Sequence, residues 1–188
     1  SKSEVRRDIL QRNGISIKVE PSNIDEEVVK KSLLKVAATP ETISKNLAEL
    51  KSIKVSRKNI NHLVLGADSV IDLKGKLISK PKNRNEALDI LKKLNGKEHY
   101  LISSVCISKN GSMIWNYTDK SELKMKNLSD GELKIYLGGI KTETLLAYGV
   151  YQIESGGLNL FEYIKGDRDS IMGLPIKQIK EYINNYKV

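Results

Sequence analysis

The chain has 188 residues, 39% of them hydrophobic and 29% charged, with a formal net charge of +9 at pH 7, and we expect one domain over residues 1–188. One cysteine, Cys106, and two histidines exclude a disulfide framework and a cysteine- or histidine-rich metal site, so any metal must have oxygen ligands, which favours Mg²⁺ or Mn²⁺. Because no apolar run reaches the roughly 18 residues of a membrane span and no signal peptide is recognisable, we expect no membrane contact and a cytoplasmic location.

Helical periodicity and capping signals predict six helices. In chain order they are Glu4 to Asn13 with Ser3 as its cap, Asp25 to Val36, one that starts at Thr39-Pro40 and includes Leu50, one from Asn83 to Gly96, one from Ser129 to Gly138-Gly139, and one from Pro175 to about Tyr186.

Alternating or continuous apolar runs predict the strands. They are Ile15 to Val19, His62 to Ile71, Leu77 to Ser79, Tyr100 to Ile107, Met113 to Tyr117, Ser121 to Leu128, Val150 to Ile153 and Leu158 to Ile164. Asn110-Gly111 marks a hairpin between two of them. This mixture of helices, hairpins and crossovers predicts an α/β or α+β domain with a mixed sheet.

Asp68 is a single carboxylate inside an apolar predicted strand. A carboxylate buried without partners loses several kcal/mol of solvation, so Asp68 needs a metal, a basic partner or a catalytic role. The alternative is a structural carboxylate that bonds backbone N–H groups at the end of a strand. Lys80 follows later, and Pro81 after it fixes an extended backbone and therefore the direction of the lysine; the alternative is an ordinary surface lysine.

The first turn of the first predicted helix has the features of an anion-binding site. Ser3 and free backbone N–H groups lie at the helix start, with Arg6 and Arg7 one turn in. The alternative is that Ser3 only caps the helix and both arginines lie in solvent. Glu26, in an acidic helix start, is explained equally by the helix dipole. Taken with Asp68 and Lys80, this turn predicts a site for a phosphorylated substrate.

Short segments in a fixed order cover nearly the whole chain. They are Ser1-x-Ser3-x-x-Arg6-Arg7, Asp25-Glu26, Leu47-Ala48-x-x-Lys51, Gly66-Ala67-Asp68-Ser69-Val70-Ile71, Lys80-Pro81-Lys82, Leu94-x-Gly96-x-x-His99, Tyr151-Gln152-Ile153-Glu154, Phe161-x-x-Ile164-x-Gly166-Asp167 and Gly173-Leu174-Pro175. This ordered set resembles the Maf family, the septum-formation-inhibitor-like nucleoside triphosphate pyrophosphatases.

The resemblance implies an elongated α/β fold, with a central mixed sheet flanked by helices and two lobes around a cleft. It also implies hydrolysis of a nucleoside triphosphate to the monophosphate and pyrophosphate, a divalent metal (Mg²⁺ or Mn²⁺), a cytoplasmic location and a homodimer. By position Asp68 would be the catalytic base, and Glu26 would hold the metal with it. The residues implied to bind the substrate phosphates are Ser3, Arg6, Lys51 and Lys80, and Arg7 is a further expected substrate-binding residue.

The expected nucleobase pocket departs from two known subgroups of the family. Its residues would be Val5, Ser69 and Glu154. One subgroup has Arg, Thr and Gln at these positions and favours dTTP and UTP, whereas the other has Trp, Gln and Glu and favours 7-methyl-GTP. Only Glu154 leans towards the second set, and its carboxylate would suit a guanine edge or a cationic methylated purine.

Two other family features are absent from the sequence. The usual Asp-Lys pair before the late tyrosine motif is replaced by Leu146-Ala147. The usual apolar strand before the first serine is not present, so we expect either that a segment precedes Ser1 or that the first strand is lost.

Two other functions stay open at the level of sequence. The net charge of +9 admits a basic nucleic-acid-binding module, but evenly spread lysines and a single Phe and Trp argue against a base-stacking surface, so nucleic acid is not the expected partner. The family name also admits a septum-formation inhibitor that acts mainly through protein partners. A pyrophosphatase would combine a house-cleaning role with an effect on cell division.

Overall fold

The computed structural model describes residues 3–153 and 156–186. Its helices are α1 (Glu4–Arg12), α2 (Glu26–Lys35), α3 (Pro40–Ser56), α4 (Arg84–Leu94), α5 (Asp130–Gly138), α6 (Thr142–Tyr148), α7 (Arg168–Ile171) and α8 (Ile176–Tyr186). Its strands are β1 (Val64–Leu73), β2 (Lys76–Ile78), β3 (Glu98–Lys109), β4 (Ser112–Met125) and β5 (Phe161–Lys165). A 3-10 turn, Gly157–Leu160, precedes β5. No helix in this part of the chain is long and apolar enough to cross a membrane.

The five strands form one sheet in the order β2-β1-β3-β4-β5, with helices packed around it. The predicted α/β class is therefore confirmed. We expected a mixed sheet, but every strand pair among the described residues is antiparallel, because neighbouring strands are joined by hairpins or by connections that reverse the chain.

One long strand, β4, replaces two predicted ones. The polar residues Thr118 to Lys120 suggested a break between Met113 to Tyr117 and Ser121 to Leu128. Their backbone nevertheless continues the ladder with β3, from Asn116 opposite Cys106 to Lys124 opposite Glu98. Backbone pairing thus carries the strand through a stretch that lacks an apolar pattern.

Two predicted strands are absent, and two short helices were not predicted. Residues Ile15 to Val19 and Val150 to Ile153 pair with no described strand; the first segment is largely exposed and the second packs into the core as irregular chain. Helix α6 has no side-chain cap and so lacks a start signal. Helix α7 has only four residues, too few for a helical period.

Two clusters of buried hydrophobic residues stabilise the fold. The larger one joins α4, α5 and α6 to the ends of β4 and β5. The smaller one packs α1 and α8 against Ala67 of β1 and Val105 of β3. Helix α3 crosses β1 so closely that a Cβ atom at Gly66 would lie 2.2 Å from the carbonyl oxygen of Ala48. This approach brings Lys51 of α3 over the middle of β1.

Candidate active site

A cavity of about 610 Å³ follows the outer edge of β1. Strand β2 pairs only with Ile71 to Leu73, so the edge from Val64 to Val70 has no strand partner among the described residues. The cavity lining includes eight predicted site residues: Ser3, Val5, Arg6, Glu26, Lys51, Asp68, Ser69 and Lys80. Residues from α1, α2, α3, β1 and the segment after β2 therefore meet at one place.

Asp68 is buried in β1, with 5% of its surface exposed. Lys51 Nζ lies 2.7 Å from Asp68 Oδ1 and 2.8 Å from Glu26 Oε1, so one ammonium group bridges two carboxylates. Asp68 Oδ2 is also buried and has no hydrogen-bond partner among the described residues. The carboxylate is thus held by a basic partner, as one sequence alternative proposed, and keeps one oxygen available.

The environment shifts the pKa values of the two carboxyl groups in opposite directions. Burial raises the pKa of Asp68, although Lys51 opposes the shift. Burial alone would raise the pKa of Glu26 too, but Lys51, Lys30 and Lys80 together bring it below its ordinary value. Carboxyl groups separated in this way take different roles. Asp68 is the better proton acceptor, and Glu26 stays ionised.

The acidic residues of the cavity suit a hard divalent cation that arrives with a substrate. The described residues contain no group of three or more Asp, Glu, His or Cys side chains placed to hold a metal alone. Mg²⁺ is commonly bound by one or two carboxylates together with substrate phosphates, and it needs no complete protein cage. Glu26 and Asp68 supply two such carboxylates.

Arg6 is fixed by three hydrogen bonds from its guanidinium group. Nε donates to the Gly173 carbonyl at 2.9 Å, Nη1 to the Ala67 carbonyl at 3.2 Å, and Nη2 to Ser69 Oγ at 2.9 Å. Since a guanidinium has five N–H groups, two remain for a substrate oxygen. The sequence alternative in which Arg6 lies in solvent is therefore wrong.

Three further residues complete the wall of the cavity. Ser3 caps α1, as predicted, and its Oγ accepts from the Arg6 backbone N–H at 3.3 Å. Lys80 Nζ donates to the Ala147 carbonyl at 2.6 Å, which ties one side of the cavity to the end of α6. Burial and the nearby Arg6 lower the pKa of Lys80, against the pull of Glu26 and Asp68. Val5 lines the cavity and packs against the cluster of α1 and α8.

Two predicted site residues are not brought into this cavity by the described structure. Arg7 is exposed, its Nε lies 3.7 Å from the carboxylate of Asp8, and it lines an adjoining cavity of about 380 Å³ that shares Ser3 and Arg6 with the first. Glu154 lies outside the described residues, so its expected contact with the nucleobase stays a prediction.

Sequence reasoning did not find the contacts that hold Arg6. Gly173 accepts from Arg6, and Ser69 connects Arg6 to Ser103 of β3. The Gly173-Leu174-Pro175 segment was noticed only as part of a resemblance. The one signal in the sequence was a glycine two residues before a proline-led helix, and the structure gives this glycine a φ of +102°.

Comparison with known proteins defines the class. The family described as Maf-like protein matches residues 1–186, and the chain belongs to that family. It is 63% identical over 187 residues to a nucleoside triphosphate pyrophosphatase of Pelagibacter ubique, covering 100% of this chain and 96% of the relative. It is 36% identical over 183 residues to a nucleoside triphosphate pyrophosphatase of Ruegeria sp., covering 97% and 92%. It is also 36% identical over 176 residues to a 7-methyl-GTP pyrophosphatase of Brucella abortus, covering 94% and 88%.

Proposed function

We propose that this protein hydrolyses a nucleoside triphosphate to the monophosphate and pyrophosphate in the cavity beside β1, with Asp68 as the general base. The observation that carries the proposal is a buried carboxylate with one unpartnered oxygen, in one cavity with the cationic side chains of Arg6, Lys51 and Lys80. The family and its full-length relatives make the chain a nucleoside triphosphate pyrophosphatase, which is a hydrolase.

The cationic groups bind and align the triphosphate. Arg6, Lys51 and Lys80 reach the cavity from three elements, and the N-terminus of α1 adds backbone N–H groups near Ser3. Phosphoryl chemistry depends mainly on such positioning and on charge stabilisation. Arg7 was expected to take part as well, but it is exposed and does not line this cavity.

Asp68 takes a proton from the attacking water. Its Oδ2 accepts the proton while the water oxygen bonds to the α-phosphorus. The bond from that phosphorus to the bridging oxygen breaks, and pyrophosphate leaves with the electron pair. Glu26 and Asp68 would hold a divalent cation, Mg²⁺ or Mn²⁺, which supplies further neutralisation of phosphate charge. The raised pKa of Asp68 suits it to this role, because a stronger base accepts the proton more readily.

A screen for pyrophosphate release tests the proposal. Purified protein is given MgCl₂ and, in turn, the ordinary nucleoside triphosphates, dTTP and 7-methyl-GTP. We expect Mg²⁺-dependent release from at least one nucleotide and loss of release in excess chelator. Phosphate release without pyrophosphate, or no release from any nucleotide, would overturn the proposal. Equal rates for all nucleotides would remove any narrow base preference, including the one expected from Val5, Ser69 and Glu154.

The wider predictions from the resemblance need separate measurements. A homodimer predicts twice the monomer mass in light scattering. The cytoplasmic location and the effect on cell division are tested in cells, with an Asp68→Asn variant that separates catalysis from a partner-based effect. A basic nucleic-acid-binding module would instead bind RNA or DNA with strong salt dependence in a filter-binding titration.

A further inference from the structure

A chain of hydrogen bonds runs from the cavity into the protein interior. Arg6 Nη2 donates to Ser69 Oγ at 2.9 Å, Ser69 Oγ lies 3.0 Å from Ser103 Oγ, and Ser103 Oγ donates to the Ser170 carbonyl at 2.7 Å. The chain links four elements: α1, β1, β3 and α7. It connects the cationic wall of the cavity to a rigid, buried support.

The direction of every hydrogen bond in this chain is fixed by its two ends, a guanidinium that only donates and a carbonyl that only accepts. Ser103 has one hydroxyl hydrogen, and the Ser170 carbonyl takes it because a carbonyl only accepts. Ser69 must therefore donate its own hydrogen to Ser103. Arg6 must donate to Ser69, since a guanidinium has no acceptor. Ser69 is left with no hydrogen to offer a substrate.

Gly173 closes the other side of the same contact. Its φ is +102°, and a Cβ atom there would lie 3.2 Å from both Arg6 Nε and Ser69 Oγ. The Gly173 carbonyl also accepts from Arg6 Nε. The turn after α7 thus packs directly on the Arg6–Ser69 pair and limits the guanidinium to one orientation.

Ser103 is only 1% exposed and does not line the cavity, so it has no access to a substrate. Its hydroxyl nevertheless fixes the rotamer of Ser69, which in turn fixes Arg6. We infer that Ser69 and Ser103 are positioning residues for the phosphate-binding guanidinium of Arg6, and that Ser69 does not select the nucleobase by donating to it. The inference rests on the proposed function, because it assigns the work of these serines within the same site.

The consequence for specificity differs from the sequence expectation. Ser69 follows Asp68 at a position expected to line the base pocket. Ser69 donates its one hydrogen to Ser103 and accepts one hydrogen from Arg6, so only one acceptor lone pair remains. It therefore cannot donate to the carbonyl of a pyrimidine or a guanine. Loss of the Ser103 hydroxyl, which does not reach the cavity, should weaken the binding of all nucleotides by the same factor.

The test uses Ser103→Ala with Ser108→Ala as a matched control. Ser108 lies on the same strand, is 0% exposed, and bonds the Ser52 hydroxyl at 2.7 Å, away from Arg6. We expect Ser103→Ala to raise KM about fivefold for every nucleotide that the wild type hydrolyses, as for one lost hydrogen bond. We expect kcat to change less and the order of preference among bases to stay the same, whereas Ser108→Ala should leave KM within about twofold.

A double-mutant cycle with Arg6→Lys identifies the route of the effect. Lysine cannot make the three-way contact of the guanidinium, so Ser103→Ala should add little in that background. The affinity for a non-hydrolysable triphosphate analogue is measured in parallel, so that binding can be compared even if the double variant turns over too slowly for a KM value. An equal penalty in both backgrounds, or equal KM values for Ser103→Ala and Ser108→Ala, would overturn the inference.

If Ser103→Ala does not fold, a second variant, Ser69→Ala, tests the inference. Ser69→Ala removes the same link from the cavity side and should raise KM for every nucleotide. A rise confined to nucleotides whose base offers a carbonyl acceptor would overturn the inference. If the wild type releases no pyrophosphate at all, the proposed function fails instead, which is a distinct outcome.

Discussion

Lys51 donates a 2.7 Å hydrogen bond to Asp68 Oδ1, although the two residues are 17 positions apart and lie on different elements. The same ammonium group contacts Glu26 at 2.8 Å. Both carboxylates are expected to hold the metal. The ammonium group of Lys51 therefore lies where a bound divalent cation would reduce the repulsion between Glu26 and Asp68. Binding of a metal-bound nucleotide therefore requires Lys51 to exchange a carboxylate for phosphate.

Lys51→Gln should destabilise the protein and make its stability more sensitive to Mg²⁺. The side chain of Lys51 is 15% exposed, and its loss leaves two carboxylates without their shared counter-charge. The loss of one partner from a buried ion pair costs about 3 kcal/mol. Urea unfolding without metal measures this loss, and MgCl₂ at tenfold its Kd should restore about 1.4 kcal/mol in the variant.

Lys54→Gln is the matched control on the same helix. Lys54 Nζ donates to the Asn23 carbonyl at 2.7 Å and forms no ion pair with a carboxylate in the described ranges 3–153 and 156–186. This variant should unfold nearly as the wild type does, with and without Mg²⁺. If MgCl₂ stabilised Lys51→Gln no more than Lys54→Gln, the bridging role of Lys51 would be contradicted.

Gly66→Ala should separate α3 from β1 and disturb the site through Lys51. The new Cβ would lie 2.2 Å from the Ala48 carbonyl oxygen and 2.7 Å from the Ser52 backbone nitrogen, and backbone atoms cannot rotate away. We expect a loss of about 3 kcal/mol in stability and a fall in Tm of about 10 °C. Gly138→Ala is the control, because its Cβ would meet open space, and its stability should change by less than about 1 kcal/mol. Equal melting temperatures for the two variants would refute this packing argument.

Local signals in the sequence predicted helix starts well. The side chains of Ser3, Thr39, Asn83 and Ser129 each accept a backbone N–H in the first turn, as their positions indicated. Such caps are decided by a few neighbouring residues, so a single sequence contains the information. The strands were harder to predict from the sequence. Strand β4, for example, depends on backbone pairing with β3 through residues without an apolar pattern.

The site itself was only partly predictable, because its contacts join distant parts of the chain. The resemblance named Arg6 and Arg7 together, but adjacent residues point about 100° apart on a helix. The structure turns Arg6 towards Gly173 and Ser69 and leaves Arg7 in solvent. Nothing in the local sequence distinguishes the two. The bridge from Lys51 to Glu26 and Asp68 likewise depends on how α2, α3 and β1 pack.

The free energy of unfolding should decrease as the pH is lowered, partly because of His99. This residue is 1% exposed, its Nε2 lies 3.1 Å from Tyr151 Oη, and burial lowers its pKa from 6.5 to about 4. Because the folded-state pKa is the lower one, the unfolded chain binds more protons between these values. The contribution of His99 is therefore complete above pH 6.5 and is lost as pH falls towards 4.

Urea unfolding at pH 7.5 and 5.0 measures this effect. His99 should account for about 2 kcal/mol of the difference between these two conditions in the wild type. His99→Gln should show a correspondingly smaller difference, whereas His62→Gln, at an exposed position, should match the wild type. The same pH dependence in wild type and His99→Gln would exclude His99 as its source.

The central claim is that Asp68 is the proton acceptor for the attacking water, and Asp68→Asn tests it most directly. The measurement is pyrophosphate release at saturating nucleotide and MgCl₂, with Asp72→Asn as the control at the end of the same strand. Asp72 Oδ1 accepts from the Gly75 backbone at 2.6 Å, a role that an asparagine oxygen can keep. The account predicts a melting curve close to wild type for both variants, near-normal turnover for Asp72→Asn, and a fall in kcat of about 10²–10⁴-fold for Asp68→Asn. Wild-type turnover by a folded Asp68→Asn protein would contradict the account.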